Sequence, residues 1–504
     1  MSRLLLGLFL ALATLSIAPH DTSGATWLVK PDGSGDAPTI QAAVDSTSDG
    51  DVILLSNGIF TGHGNRDIQI STKAIMIRSA SMNPESCVVD CERTDGSPHY
   101  GFELLNYHPL GIVIEGLTIT HCYSSGHGGA IKWPGGASSL TVNNCIFSAD
   151  TAYSGGAIDV GMSGAGKLTL NDCEFADNWS IQEGGAVHLS ELGEVRITGC
   201  RFVRNKGVSG GGICIWETTN VVISYCWFES NQTTGSGGYG GGIAFKVDSA
   251  GLVRYCVFVR NWATRGGGVE CHDSSPTIES CTFYANRAPG GGGGVRSFAY
   301  FGEADVTISK TVIAFGTGGY AVGCAGTGIA TLYVCDLYQN AGGDWVFCIS
   351  DQLGIYGNMC ANPRFCDTAT GDFRLHENSP CLPENNESGE LIGALGLGCP
   401  DPTGVGEDRQ VPDAPGLRRV YPNPFNPVTK IEYSVPITGL VRLAVYDVKG
   451  REIRLLADEV QPMGNYSVLW EGCDNNGVRV SSGVYFVRME HGGDTWTHRM
   501  VFLK

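Results

Sequence analysis

Cys173-Glu174-Phe175-Ala176-Asp177-Asn178, then Gly184-Gly185-Ala186-Val187, then Cys200-Arg201-Phe202-Val203-Arg204-Asn205 and Gly211-Gly212-Ile213 decide the fold, because the chain around them is written in the same phase. Cys122, Cys145, Cys173, Cys200, Cys226, Cys256 and Cys281 stand 23 to 30 residues apart. Phe147, Phe175, Phe202, Phe228, Phe258 and Phe283 follow the last six of these at a distance of two. Asp150, Asn178, Asn205, Asn231, Asn261 and Asn286 come three residues later. A glycine-rich block then ends each unit at Ile131, Ile158, Val187, Ile213, Ile243, Val269 and Val295. A period near 27 suits several solenoids. Helical faces are missing here, while Leu140-Thr141-Val142 and Ile213-Cys214-Ile215 alternate with period two. The pattern predicts a parallel β-helix.

One coil cannot bury its apolar side alone, so coils stack ~4.8 Å apart and like residues lie over like. The phenylalanines and cysteines are then interior columns. The asparagines are expected in tight turns, where Asn tolerates left-handed geometry and bonds neighbouring backbone. Glycine pairs mark bends or a close approach of neighbouring turns.

Composition agrees. Of 504 residues 72 are glycine and only 17% are charged, against a usual ~25%. The net charge of −18 has the wrong sign for a nucleic-acid binder. Met1-Ser2-Arg3 followed by an apolar run from Leu4 to Ile17 and small residues to Ala25 reads as a signal peptide over residues 1–25. The run is too short to span a bilayer. We expect the β-helix over 26–400, a Pro/Gly/Asp linker over 401–415, and a small β-sandwich of short alternating strands over 416–504.

Several stretches resemble known families. Phe175-Ala176-Asp177-Asn178 with Gly184-Gly185-Ala186-Val187 resembles the repeat of chlamydial polymorphic outer-membrane proteins, which are surface adhesins. The segment from Val29 to Phe60, with Thr39-Ile40-Gln41-Ala42-Ala43-Val44, is similar to the N-terminal cap of pectin-lyase-like β-helices. Tyr421-Pro422-Asn423-Pro424-Phe425-Asn426-Pro427, Val445-Tyr446-Asp447, Ser482-Gly483-Val484-Tyr485-Phe486 and Met500-Val501-Phe502-Leu503-Lys504 resemble the C-terminal sorting domain of type IX (Por) secretion substrates, related to the Ig-like domain of the flagellar hook-cap protein. That resemblance implies export to the cell surface or medium, with the outer-membrane secretion machinery as partner.

A fold of this kind does not fix an activity. Gly126-His127-Gly128 matches one polygalacturonase motif, but the paired aspartates that chemistry needs are absent. No zinc spacing, nucleophile elbow or phosphate loop appears. What remains is an outward row on one sheet: Lys132, Asp159, His188, Cys214, Ala244, Glu270 and Arg296, with Trp216, Lys246, His272 and Phe298 in a second row beside it. Lys246, Glu270, His272 and Arg296 are the catalytic candidates: Lys or His as base beside a uronate, Arg neutralising its carboxylate. Lys132, Asp159, His188, Trp216 and Phe298 are the glycan-binding candidates. The plain alternative is a polar surface whose opposite charges pair between rungs.

In-register inward cysteines have parallel side chains, so Cys145 through Cys281 are expected as buried thiols. Disulfides are expected for Cys87 with Cys91, and among Cys360, Cys366, Cys381 and Cys399. No cofactor is evident. Calcium is compatible with the acidic turns, and Asp32-Gly33-Ser34-Gly35-Asp36 is read as a cap turn rather than a calcium repeat. The functional expectation is an exported, non-catalytic glycan-binding or adhesin-like protein, with a polysaccharide lyase or glycoside hydrolase as the alternative.

Overall fold

The computed structural model describes residues 24–93, 97–105, 111–134, 139–161, 166–235, 237–399, 416–423, 425–426, 428–435, 439–461, 464–475, 478–492 and 494–503. The signal peptide up to Ser23 and the 401–415 linker lie outside these residues.

Three parallel sheets of 12, 11 and 10 strands wind into one solenoid, and within each the strands follow coil order. The first sheet runs from Thr26–Val29 to Ile329–Tyr333, the second from Gly58–Phe60 to Asp336–Tyr338, and the third from Ile68–Ser71 to Gly318–Gly326. Register follows the sequence phase: Phe147 pairs with Phe175, Phe175 with Phe202, and Ile158 with Val187. Phenylalanine rings from Phe147 to Phe283 stack inside at centroid spacings of 4.5–4.9 Å. The rings are set at the rung repeat and hold it along the core.

The asparagines are where expected in sequence but differ in conformation. Asn178, Asn205, Asn231 and Asn261 are fully buried, and the left-handed residue in each turn is the one before: Asp177, Arg204, Ser230 and Arg260. Each Asn Nδ2 donates back to the phenylalanine carbonyl of the previous coil, as from Asn205 to Phe175 at 2.9 Å. The same Nδ2 and the Asn backbone N–H both donate forward to the next Oδ1, as from Asn205 to Asn231 at 2.9 and 3.1 Å. Burial wins over left-handed tolerance because this ladder satisfies main-chain groups that the bend strips from the sheets.

The glycine pairs do both things expected of them. Gly184 has φ of 64°, and a Cβ on Gly185 would lie 2.0 Å from the Gly211 carbonyl oxygen. Cys145, Cys173, Cys200, Cys226, Cys256 and Cys281 are buried free thiols. The disulfides are Cys91–Cys122, Cys324–Cys348 and Cys366–Cys399. The expected Cys87–Cys91 bridge is corrected: Cys87 is a buried free thiol, and Cys91 faces Cys122 on the next coil across a Cα separation of 4.9 Å.

The ends and one side of the solenoid are closed. The helix Ile40–Ser46, capped by Thr39 Oγ1, covers the first coil, and Asp32 and Asp36 accept backbone N–H bonds as cap-turn residues. After the last coil the chain doubles back, and Phe373 and Ala394 cover Val257 and Val259 on the outer side of the phenylalanine sheet. Leu375, Leu382 and Ile392 do the same for Val312 and Ala314. On the later coils that face is therefore covered by the protein itself, while on the earlier ones Ile59 and Arg201 stay exposed.

Residues 416–503 form a separate unit of two antiparallel sheets of three and four strands around Ile431, Val441, Leu443, Trp470, Val487, Met489 and Phe502. Its opening motif clasps its closing one. Phe425 is buried against Trp470 and Phe502, while Asn423 accepts from the Val501 N–H and donates to the Arg499 carbonyl.

Candidate functional site

The third sheet carries the expected outward rows in the expected register. Lys132 pairs with Asp159, Asp159 with His188, His188 with Cys214, Cys214 with Ala244, Ala244 with Glu270 and Glu270 with Arg296. In the second row Trp216 pairs with Lys246, Lys246 with His272 and His272 with Phe298.

This face is less open than strand alternation alone suggests. Before each strand the chain passes through a left-handed glycine, Gly128, Gly155, Gly184, Gly210, Gly240 or Gly266, at φ of 59–66°. The residue ahead of each, His127, Ser154, Glu183, Ser209, Tyr239 or Arg265, stands as a ridge along the sheet edge. Ridge side chains lean over the inner row, so Asp159, Cys214, Ala244 and Glu270 are buried although they point away from the core. The expectation of exposed positions is thereby corrected for these residues.

The ridge also redirects the charges. His188 Nδ1 lies 2.9 Å from Asp159 Oδ2, and its Nε2 lies 3.4 Å from Glu183 Oε2. Lys246 Nζ bonds the other oxygen of Glu183 and sits 4.4 Å over the Trp216 ring. Burial opposes a charged imidazole here, but the bonds to Asp159 and Glu183 outweigh it and raise His188 to about 9. His127 adds a further contact to Asp159 at 3.4 Å. Lys132 pairs with Glu103 at 2.6 Å.

Further along, Glu270 and Arg296 form a buried ion pair. Burial pushes the Glu270 carboxyl up to about 7 against the pull of Arg296, and its Oε2 has no hydrogen-bond partner. His272 is held below its usual range by burial, with its ring edge-on to Tyr239 and Phe298 at 5.4 and 4.7 Å. Of the four catalytic candidates, Lys246 and His272 are rung neighbours and Glu270 and Arg296 are paired. Lys246 is held by Glu183, a ridge residue that strand alternation does not bring to this face.

A third row, which the sequence reading did not single out, runs along the asparagine turns. The residue after Asp150 and after each Asn pairs with its counterpart on the next coil, giving Thr151, Trp179, Lys206, Gln232, Trp262 and Arg287 in register. Trp179 is 44% exposed. It borders an open hollow of about 530 Å³ together with Arg93, Thr151, Asp177, Arg204 and Lys206. Arg204 is paired with Asp177 at 2.6 Å and Arg93 Nη1 bonds Thr151 Oγ1 at 2.6 Å, while Lys206 makes no ion pair among the described residues. The signal was available: in the repeat, tryptophan twice occupies the place next to a buried Asn.

The family described as a right-handed β-helix region matches residues 49–207, 111–295 and 160–360, together more than half of the chain. The chain belongs to the right-handed β-helix family. This right-handed β-helix also carries, over residues 419–503, a match to the secretion system C-terminal sorting domain. It is accordingly an exported protein, secreted or held at the cell surface. Among the described residues no helix is long and apolar enough to cross a membrane. No curated protein matches the chain.

Two solved structures show likeness to parts of the β-helix protein. One is PorZ, an essential bacterial surface component of the type IX secretion system of Porphyromonas gingivalis, at 23% identity and a TM-score of 0.14, covering 18% of this chain and 12% of that one. The other is the PL6 family alginate lyase AlyGC, at 13% identity and a TM-score of 0.36, covering 73% of this chain and 56% of that one. The chain thus spans an eighth of the first structure's length and about half of the second's.

Proposed function

We propose that the exported β-helix is a non-catalytic binding protein of adhesin type, and that it holds an acidic glycan along the row beginning at Trp179. The observation that carries this reading is the hollow beside Trp179, where an exposed indole face stands among Arg93, Arg204 and Lys206 in a chain of net charge −18. An indole stacks on the apolar face of a sugar ring, and guanidinium and ammonium groups bond carboxylates or sulfates. Register extends the row to Gln232, Trp262 and Arg287, three rungs or ~15 Å separating the two tryptophans. The later coils of the phenylalanine sheet are covered by Phe373, Leu375, Leu382, Ile392 and Ala394, and the third-sheet charges are engaged with one another. Both features favour the turn row over those two surfaces.

The lyase or hydrolase reading draws on Glu270, whose buried carboxyl near pH 7 is poised as a proton carrier beside Arg296. The test exposes the full mature chain to polygalacturonate, chondroitin sulfate and dextran, reading retention, new reducing ends and unsaturated products together. Retention of the acidic polymers alone, reduced at least tenfold by Trp179→Ala and more weakly by Lys206→Ala, is expected. Products that vanish in Glu270→Gln would replace the binding reading with an enzymatic one. Equal retention by Trp179→Ala and the parent would remove the turn row from consideration.

A further inference from the structure

We propose that Glu183, His188 and Cys214 form a zinc site that ties the ridge to the third sheet, with Asp159 as the residue that orients the imidazole. The inference is independent of glycan binding. Cys145, Cys173, Cys200, Cys226, Cys256, Cys271 and Cys281 belong to the apolar core, and Cys214 does not. Cys145, Cys173 and Cys226 place their sulfurs 3.3 Å from backbone carbonyls, whereas the fully buried sulfur of Cys214 has no hydrogen-bond partner among the described residues. It sits instead in the charged row, directly paired with His188 on the neighbouring strand.

Ligand atoms of Glu183, His188 and Cys214 all lie within 4.8 Å of one another. Ligands 2.0–2.3 Å from a tetrahedral zinc stand roughly 3.3–3.8 Å apart. His188 Nε2 and Glu183 Oε2, at 3.4 Å, already have that spacing. The sulfur lies no more than 4.8 Å from either and so needs at most roughly 1.5 Å of side-chain adjustment to join them. Asp159 Oδ2 accepts from His188 Nδ1 at 2.9 Å, which is the carboxylate–histidine arrangement that leaves Nε2 aimed at a metal. Lys246 occupies only Oε1 of Glu183, so Oε2 remains for the ion.

The exchange balances. With His188 protonated, Asp159 and Glu183 offset His188 and Lys246, and the Cys214 thiol is neutral. A divalent ion that displaces the proton on His188 Nε2 and the proton on Cys214 Sγ leaves the net charge of the cluster unchanged. Thiolate, imidazole and carboxylate together select zinc over calcium or magnesium, which prefer all-oxygen sites. Three protein ligands leave a fourth position, on the side of Glu183, the most exposed of the three at 21% of its side chain.

The test uses the full mature chain with Cys360→Ser and Cys473→Ser, which removes the exposed and half-exposed thiols. Titration with Co²⁺ is expected to give a cobalt–thiolate charge-transfer absorption that saturates at one ion per chain and is bleached by Zn²⁺. Cys214→Ala is expected to abolish the absorption and weaken zinc binding at least 100-fold. Its fold is protected because Ala244 fills the equivalent position on the next rung, and thermal melting checks this. Asp159→Asn is expected to keep the absorption while lowering affinity about 10- to 100-fold, as loss of an orienting partner does. Cys271→Ala, a buried core thiol, is expected to change nothing. Absence of the thiolate absorption, or its survival in Cys214→Ala, would overturn the proposal.

Discussion

Asp150 heads the asparagine ladder with the wrong side chain, and Asp150→Asn is expected to stabilise the solenoid. Asp150 is fully buried; its Oδ1 accepts from the Cys122 N–H at 2.9 Å, while Oδ2 has no partner. In the next coil Asn178 donates from Nδ2 to the Phe147 carbonyl at 3.0 Å. Phe147 pairs in register with Ile119, so an amide at 150 meets the Ile119 carbonyl in the same way. A buried polar atom left unpaired costs ~1–3 kcal/mol, which sets the expected gain at about 2 kcal/mol at pH 8.

The gain depends on pH in a known direction. Burial raises the Asp150 carboxyl well above 3.8, with the Cys122 N–H and Arg93 opposing. Below the unfolded value both states hold the proton and the parent loses nothing. As pH rises, the unfolded chain releases its proton first, and the parent loses stability until the folded carboxyl ionises. The variant carries no such proton. Scanning calorimetry is therefore expected to show a Tm rise of roughly 2–4 °C at pH 8 and a smaller one at pH 4. A gain of equal size at both pH values, or a lower Tm at pH 8, would refute the reasoning.

Phe202→Ala, in the middle of the stack, is expected to cost about 3–5 kcal/mol, read as a lowered midpoint of denaturant unfolding. Asn205→Ala orphans the Phe175 carbonyl and the Asn178 N–H, and the same measurement should show a loss of about 2–4 kcal/mol. Glu270→Gln should lower the melting temperature overall, since Arg296 loses its carboxylate, yet flatten its dependence on pH. The folded carboxyl at about 7 lies above the ordinary 4.5, so the parent loses stability as pH rises from about 4.5 to about 7, and the variant does not. Removal of residues 416–504 should leave the chain inside the outer membrane, which protease accessibility on intact cells would report.

The Phe-x-x-Asn phase determined the solenoid, its coil boundaries and the register of every outward residue, because identical side chains stack only when rungs align. The same reading placed Lys132, Asp159, His188, Glu270 and Arg296 in one row correctly. It placed their partners poorly. Glu183 and Tyr239 reach that row through turns at left-handed Gly184 and Gly240, and a turn's direction is not carried by period-two alternation. Nor did the phase distinguish the Asn from its neighbour as the left-handed residue, since both conformations satisfy a tight bend and only the ladder of carbonyls inside makes burial the better one. Cys91 and Cys122 face each other for a similar reason: coil spacing, rather than proximity along the chain, brings their sulfurs together. Sequence alone determined what repeats. Tertiary structure decided what meets across the turns, because those contacts join residues that share no period.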